Sequence, residues 1–165
     1  MKVNEATEDS ENKLDLYCDM DGVIVDFDTG YHKLTGTDLS GEFRSDPAFW
    51  EPINNAGVKF WEDLDWMPDG KRLWKYIEKY NPIILSAPSN RDESRVGKQF
   101  WVKRELPGVH LYLRYAKHKI DFATPHSVLI DDRLPNIEDW INAGGIGIHH
   151  TSTESTIHHL KKLGL

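Results

Sequence analysis

Cysteine is nearly missing from this chain: among 165 residues Cys18 stands alone. A lone thiol closes no internal disulfide, so nothing points to an oxidising compartment. Its place inside an apolar run reads as a small buried core residue. Long hydrophobic runs are missing as well. No stretch approaches the roughly 20 apolar residues of a membrane span, and the opening MKVNEATEDSENK lacks the apolar segment of a signal peptide. Residues 1–13 read as a flexible polar tail, and the chain as cytoplasmic with no membrane partner. Positive charge is scarce too: 20 Lys and Arg against 27 Asp and Glu leave a net charge of −7. Such a surface repels polyanions, which sets duplex nucleic acid aside as a partner unless cations cluster locally. An acidic protein that handled phosphate would need a metal ion or a few placed cations.

What the chain does have is alternation. Leu14–Asp19 (LDLYCD), Pro82–Ser86 (PIILS), Val109–Leu113 (VHLYL), Ser127–Asp131 (SVLID) and Gly145–His149 (GIGIH) read as strands. They are short and often apolar on consecutive positions, as in a parallel sheet buried on both faces. Helical patterns lie between them. Asp69–Tyr80 carries Leu73, Trp74, Ile77 and Tyr80 on one face, and Asp92–Leu106 carries Val96, Phe100 and Trp101. Pro135–Ala143 is a short helix closed by glycines, and Thr153–Leu163 a last amphipathic one. This order implies right-handed crossovers and an α/β fold: a Rossmann-like parallel sheet with helices on both faces. Residues 29–67 break the rhythm. They show no clean strand yet hold Tyr31, Phe43, Phe49, Trp50, Phe60, Trp61 and Trp66. They read as a small helical cap inserted after the first strand, leaving 14–28 and 68–165 as the core of one domain.

The stretch LYCDMDGVIVDFD puts Asp19, Asp21, Asp26 and Asp28 in and beside an apolar run. In an open parallel sheet, ligands collect beyond the carboxyl ends of the strands. The first strand ends at Asp19 and runs into Asp21, the second ends at Ser86, and a later one ends at Asp131-Asp132. These carboxylates would converge at one edge of the sheet. Their mutual repulsion is relieved by a divalent cation, and hard oxygen ligands favour Mg²⁺. Asp26 and Asp28 read as the start of the insertion or as helix caps. His149-His150 and His158-His159 read as solvated side chains, not as a metal site.

The order of strand, DxDG, strand ending in Ser, Lys-bearing helix and strand ending in DD resembles the haloacid dehalogenase-like phosphohydrolase superfamily. Its four motifs fall on Asp19-Met20-Asp21-Gly22-Val23, on Ser86, on a lysine, and on Leu129-Ile130-Asp131-Asp132-Arg133. More narrowly, CDMDGVIVDF, KFWEDLDWMPDG, ILSAPS, GKQFWVKREL and VLIDDR look like the 5'(3')-deoxyribonucleotidase family. The chain departs from that family in having Ser86-Ala87 where Thr-Ser is common, and in a divergent segment from Arg114 to Ala123.

The resemblance implies a Mg²⁺-dependent phosphatase acting on nucleoside monophosphates, with deoxyribonucleotides preferred and a homodimer left open. It makes Asp19 the nucleophile and a metal ligand. Asp21 becomes general acid and then base, with its backbone carbonyl on the metal. Asp132 is expected to ligate the metal directly and Asp131 at one remove. Ser86 and the backbone after it at Ala87 would hold phosphate. Lys98 matches the family's Lys-x-x-Trp-Val pattern, and one of Arg114, Lys117 and Lys119 in the divergent segment is a second phosphate contact, with Lys117 the choice. Phe27 matches an aromatic that packs near the base, and Trp61 or Phe60 would stack on that base. The alternatives are a phosphatase for another small phosphate ester, a phospho-accepting switch, and a binding module without turnover.

Overall fold

The computed structural model describes residues 13–38 and 44–165, so the expected tail over 1–13 lies outside the described residues except for its last member. Five strands, β1 (Asp15–Cys18), β2 (Ile83–Ser86), β3 (Leu111–Leu113), β4 (Ser127–Asp131) and β5 (Ile146–His149), form one sheet in the order β3-β2-β1-β4-β5. Every pairing is parallel. The apolar runs therefore became strands at the expected places. Val109 and His110 fall outside β3, which is an edge strand paired on one side only, although the His110 carbonyl still accepts from Ile84 N at 2.9 Å.

The consecutive apolar positions serve two cores. Leu16, Cys18, Ile84, Val128, Ile130 and Ile148 face one side of the sheet, and Tyr17, Leu85 and Leu129 face the other. On the first face pack α4 (Gly70–Ile77), α5 (Asp92–Glu105) and α7 (Thr153–Lys162), through Leu73, Ile77, Trp101 and Leu160. On the second face α6 (Leu134–Asn142) packs through Ile137 and Trp140. The expected inner face of α5 needs correcting. Phe100 is exposed, and the buried residues are Ser94, Gly97, Lys98, Trp101 and Val102. These recur at the i, i+3, i+4, i+7 spacing of one helix face, so the phase is set by small and charged residues that do not look apolar.

Between β1 and α4 lie α1 (Phe27–Thr35), α2 (Pro47–Ala56) and α3 (Val58–Glu62). Asp26 caps α1: its Oδ1 accepts from Thr29 N at 3.1 Å. Phe27 sits among Tyr31, Phe49, Trp50, Phe60 and Trp61, with ring centroids 5.5–6.5 Å away. Helix α3 packs on α5 at Gly97, where a Cβ would stand 2.4 Å from Trp61 Cβ and 2.7 Å from the Val58 carbonyl.

The chain passes from β1 outward to β2 and β3, then returns to the other side of β1 for β4 and β5. The direction of winding reverses between β1 and β4, which is where open α/β sheets form a crevice at their carboxyl ends.

Candidate active site

Asp19 follows β1 immediately and Asp131 ends β4, in neighbouring strands whose ladder is closed by Asp19 N donating to the Ile130 carbonyl at 2.9 Å. The register alone thus brings the two carboxylates together. One oxygen each of Asp19, Asp131 and Asp132 lies within 4.8 Å of the others. The turn after Asp19 explains how Asp132 fits: Gly22 has φ +80°, and a Cβ there would stand 2.1 Å from Asp132 Oδ2. Only glycine satisfies both the backbone and the space.

Two buried lysines answer this negative charge. Lys98 Nζ, on α5, donates to Asp21 Oδ2 at 2.6 Å and to Ser86 Oγ at 3.0 Å, and it lies 5.1 Å from the Trp61 ring centre. Lys119 Nζ donates to Asp19 Oδ1 at 3.0 Å and to Asp131 Oδ2 at 2.8 Å. Lys119 comes from the 3-10 segment Ala116–Phe122, within the stretch where Lys117 was expected to serve. Lys117 is exposed, and Lys119 is 2% exposed. The correction has a physical reason: three residues per turn put Ala116, Lys119 and Phe122 on one side. Ala116 lines the cavity and Phe122 packs against Tyr17. That three-residue spacing was the signal available in the sequence.

Burial pushes the Asp19 carboxyl up to about 8; Asp131, Asp132 and Asp21 push it the same way, and Lys119 opposes them. Burial, then Asp131, pushes Asp132 up to about 6. Burial pulls Lys119 down, but Asp19 and Asp131 outweigh it and its net shift is upward. The acidic partners differ in how they are satisfied. Both Asp131 oxygens are engaged, Oδ1 by Arg133 N at 2.9 Å and Oδ2 by Lys119 and Asn136. Asp132 Oδ1 and Asp21 Oδ1 are buried without a hydrogen-bond partner among the described residues. A buried carboxylate oxygen with no donor is costly unless a cation takes it. The donor set fits a hard divalent ion held through Asp19 and Asp132, with Asp131 oriented by protein donors.

The carboxylates open into a cavity of about 660 Å³, whose walls include Phe27, Trp50, Trp61, Ala87, Tyr115 and Arg133. Of the expected residues, Asp19, Asp21, Asp131, Asp132, Ser86 and Lys98 meet around one centre, and Ala87, Phe27 and Trp61 border the cavity. Phe27 and Trp61 are also buried in the aromatic cluster, so each serves the packing of α1–α3 whatever else it does. The histidines need correcting in part. His150 is buried, with Nδ1 2.7 Å from Thr156 Oγ1, because its N–H extends the β4–β5 ladder to the Asp131 carbonyl. His149 Nε2 lies 2.9 Å from the Asp132 carbonyl oxygen. His158 and His159 are exposed, as expected.

No protein-family model and no curated protein matches this sequence. Solved structures do match the fold. A hydrolase from Streptococcus pneumoniae TIGR4 superimposes with a TM-score of 0.54 at 14% identity, over 91% of this chain and 99% of that one. A HAD-superfamily hydrolase from Ehrlichia chaffeensis gives 0.51 at 10% identity, over 92% and 97%. The HAD-hydrolase YfnB from Bacillus subtilis, in a structure bound to magnesium, gives 0.51 at 11% identity, over 91% and 99%. The chain therefore has the α/β fold shared by hydrolases of the haloacid dehalogenase superfamily. Among the described residues, no helix is long and apolar enough to cross a membrane.

Proposed function

We propose that this protein is a Mg²⁺-dependent phosphatase that hydrolyses nucleoside monophosphates, deoxyribonucleotides among them, through an aspartyl-phosphate on Asp19. The observation that carries the reading is the meeting of Asp19, Asp131 and Asp132 within 4.8 Å, with the buried Asp132 Oδ1 left without a donor. Lys98 and Lys119 stand beside that cluster, and aromatic walls at Phe27, Trp50 and Trp61 suit a nucleobase. The magnesium bound to the Bacillus subtilis relative in fold supports the choice of ion. When bound, Mg²⁺ would neutralise the carboxylates and the phosphoryl oxygens.

An Asp19 oxygen attacks phosphorus, the bond from phosphorus to the ester oxygen breaks, and Asp21 gives its proton to the departing alkoxide. Water then attacks the phosphorus of the aspartyl-phosphate and passes a proton to Asp21. The bond to Asp19 breaks, phosphate leaves, and both residues are restored. Lys119 holds Asp19 in place and Lys98 holds Asp21 beside Ser86, and their charges oppose that building on the phosphoryl group.

Phosphate release from a panel of nucleoside monophosphates and sugar phosphates, with Mg²⁺ and with EDTA, tests this reading. The expected result is repeated turnover that needs Mg²⁺, is strongest on deoxynucleotides and disappears in Asp19→Asn. Turnover confined to sugar phosphates would overturn the nucleotide assignment, and a folded protein inert on the whole panel would overturn the phosphatase.

A further inference from the structure

We infer that Trp61 is a positioning residue for proton transfer: the face of its ring holds the Lys98 ammonium, and that ammonium aims Asp21 at the leaving group. This role rests on the function proposed above. It gives the ring to a cation rather than to a nucleobase, and leaves the half-buried Trp50 as the wall ring open to a base.

Lys98 is 1% exposed, and its ammonium has three N–H groups to satisfy. Asp21 Oδ2 at 2.6 Å and Ser86 Oγ at 3.0 Å accept two of them. Among the described residues no third acceptor reaches Nζ. The Trp61 ring centre lies 5.1 Å away instead, inside the range of a cation–π contact, which is strongest for tryptophan and gains when water is excluded. The same ring is a poor platform for a base. Trp61 is 4% exposed, and Phe27 and Phe60 crowd it at 5.7 and 5.2 Å.

Packing, not substrate, sets where the ring stands. Gly97 precedes Lys98 on α5, and its missing side chain lets the Trp61 Cβ and the Val58 carbonyl of α3 come close. Further along α5, Trp101 Nε1 donates to the Leu64 carbonyl and Arg104 Nη2 to the Glu62 carbonyl, each at 2.8 Å. Helix α3 is therefore tied to α5 on both sides of Trp61, and ring and ammonium meet before any ligand arrives.

The consequence falls on Asp21. Because Lys98 holds Oδ2, the oxygen left to carry the proton is Oδ1, which is buried and has no hydrogen-bond partner among the described residues. In the first step the O–H bond at Oδ1 breaks as the ester oxygen leaves phosphorus and takes the proton. An ammonium free to swing from Asp21 would let the carboxyl rotate and lose that aim.

The test compares kcat/KM, which reports phosphoryl transfer to Asp19, on three substrates. Thymidine monophosphate and deoxyribose 5-phosphate release an alkoxide that needs a proton, and only the first has a base. The third, p-nitrophenyl phosphate, releases a phenolate that leaves without one. Trp61→Met should lower kcat/KM roughly thirtyfold on the first two and about threefold at most on the third. Trp61→Phe, a weaker ring in the same place, should lose roughly threefold on the first two and keep the third. Circular dichroism checks folding, and Trp61→Phe carries the test alone if Trp61→Met does not fold. A loss on thymidine monophosphate that spares deoxyribose 5-phosphate would overturn this role and make Trp61 a base-stacking residue. Equal losses on all three would overturn it in favour of packing alone, and no loss on any would overturn it outright. In each of those cases the wild type still turns over and the phosphatase stands; a folded wild type inert on all three would sink both.

Discussion

Two unlike pieces of chain deliver the buried lysines. Lys98 stands on 14 residues of regular helix, and Lys119 on a seven-residue 3-10 segment. Lys98 joins Asp21, whose side chain is 24% exposed, to Ser86. Lys119 joins Asp19 and Asp131, which are both buried and which repel each other. The irregular segment therefore bears the heavier electrostatic task. Regularity of the backbone does not indicate how much the fold depends on a side chain; the depth of the charges it separates does.

Removing Lys119 should break this comparison most visibly. Lys119→Met leaves two buried carboxylates facing each other without a cation, so we expect a loss of about 3–5 kcal/mol in chemical denaturation without metal, and activity down at least a hundredfold. Lys98→Met comes next. Activity is expected to fall about a hundredfold, but stability by only about 1–3 kcal/mol, because water reaches Asp21. Equal stability losses in the two variants would refute the ordering.

A pH titration of melting temperature sharpens the same point. The folded Asp19 carboxyl, raised to about 8 from 3.8, holds a proton that the unfolded chain has released. The native state therefore binds more protons between those values, and stability falls as pH rises across the window. His150, which burial pulls below 6.5, acts oppositely as pH drops under that value. Asp132, raised to about 6, acts in the same direction as Asp19 and is largely titrated above that value, so between about pH 6.5 and 8 Asp19 supplies most of the fall. Metal-free protein should melt lower at the upper end, and Mg²⁺ should raise the melting temperature more there than at the lower end. Smallest of all is Lys117→Met: an exposed side chain near the buried one should change stability by less than about 0.5 kcal/mol.

The sheet was readable because apolar side chains on consecutive positions have few other uses, and strand ends carrying Asp19, Ser86 and Asp131 mark its carboxyl edge. Lys98 was readable from its neighbours Trp101 and Val102. The inward face of α5 was not, since it consists of Ser94, Gly97 and Lys98 beside Trp101, and Phe100 drew attention to the wrong side. Lys119 stood among three candidate cations of its segment, and Lys117 was preferred to it for a related reason. A charged side chain is assigned to solvent by default, and only the partners supplied by distant strands make its burial affordable. His150 likewise owes its burial to Thr156 on α7, which no local pattern announces.

The central position of β1 carries a consequence for how the chain matures. Asp15 pairs with Ser127, and Tyr17 with Ile83, so the middle strand waits on partners made much later. Contacts of such long sequence separation form slowly. During synthesis Asp19 leaves the ribosome well before Lys119, Asp131 and Asp132. The nascent chain therefore holds the Asp19 carboxylate in water, apart from the lysine and the two aspartates that surround it in the fold, until β4 forms beside β1.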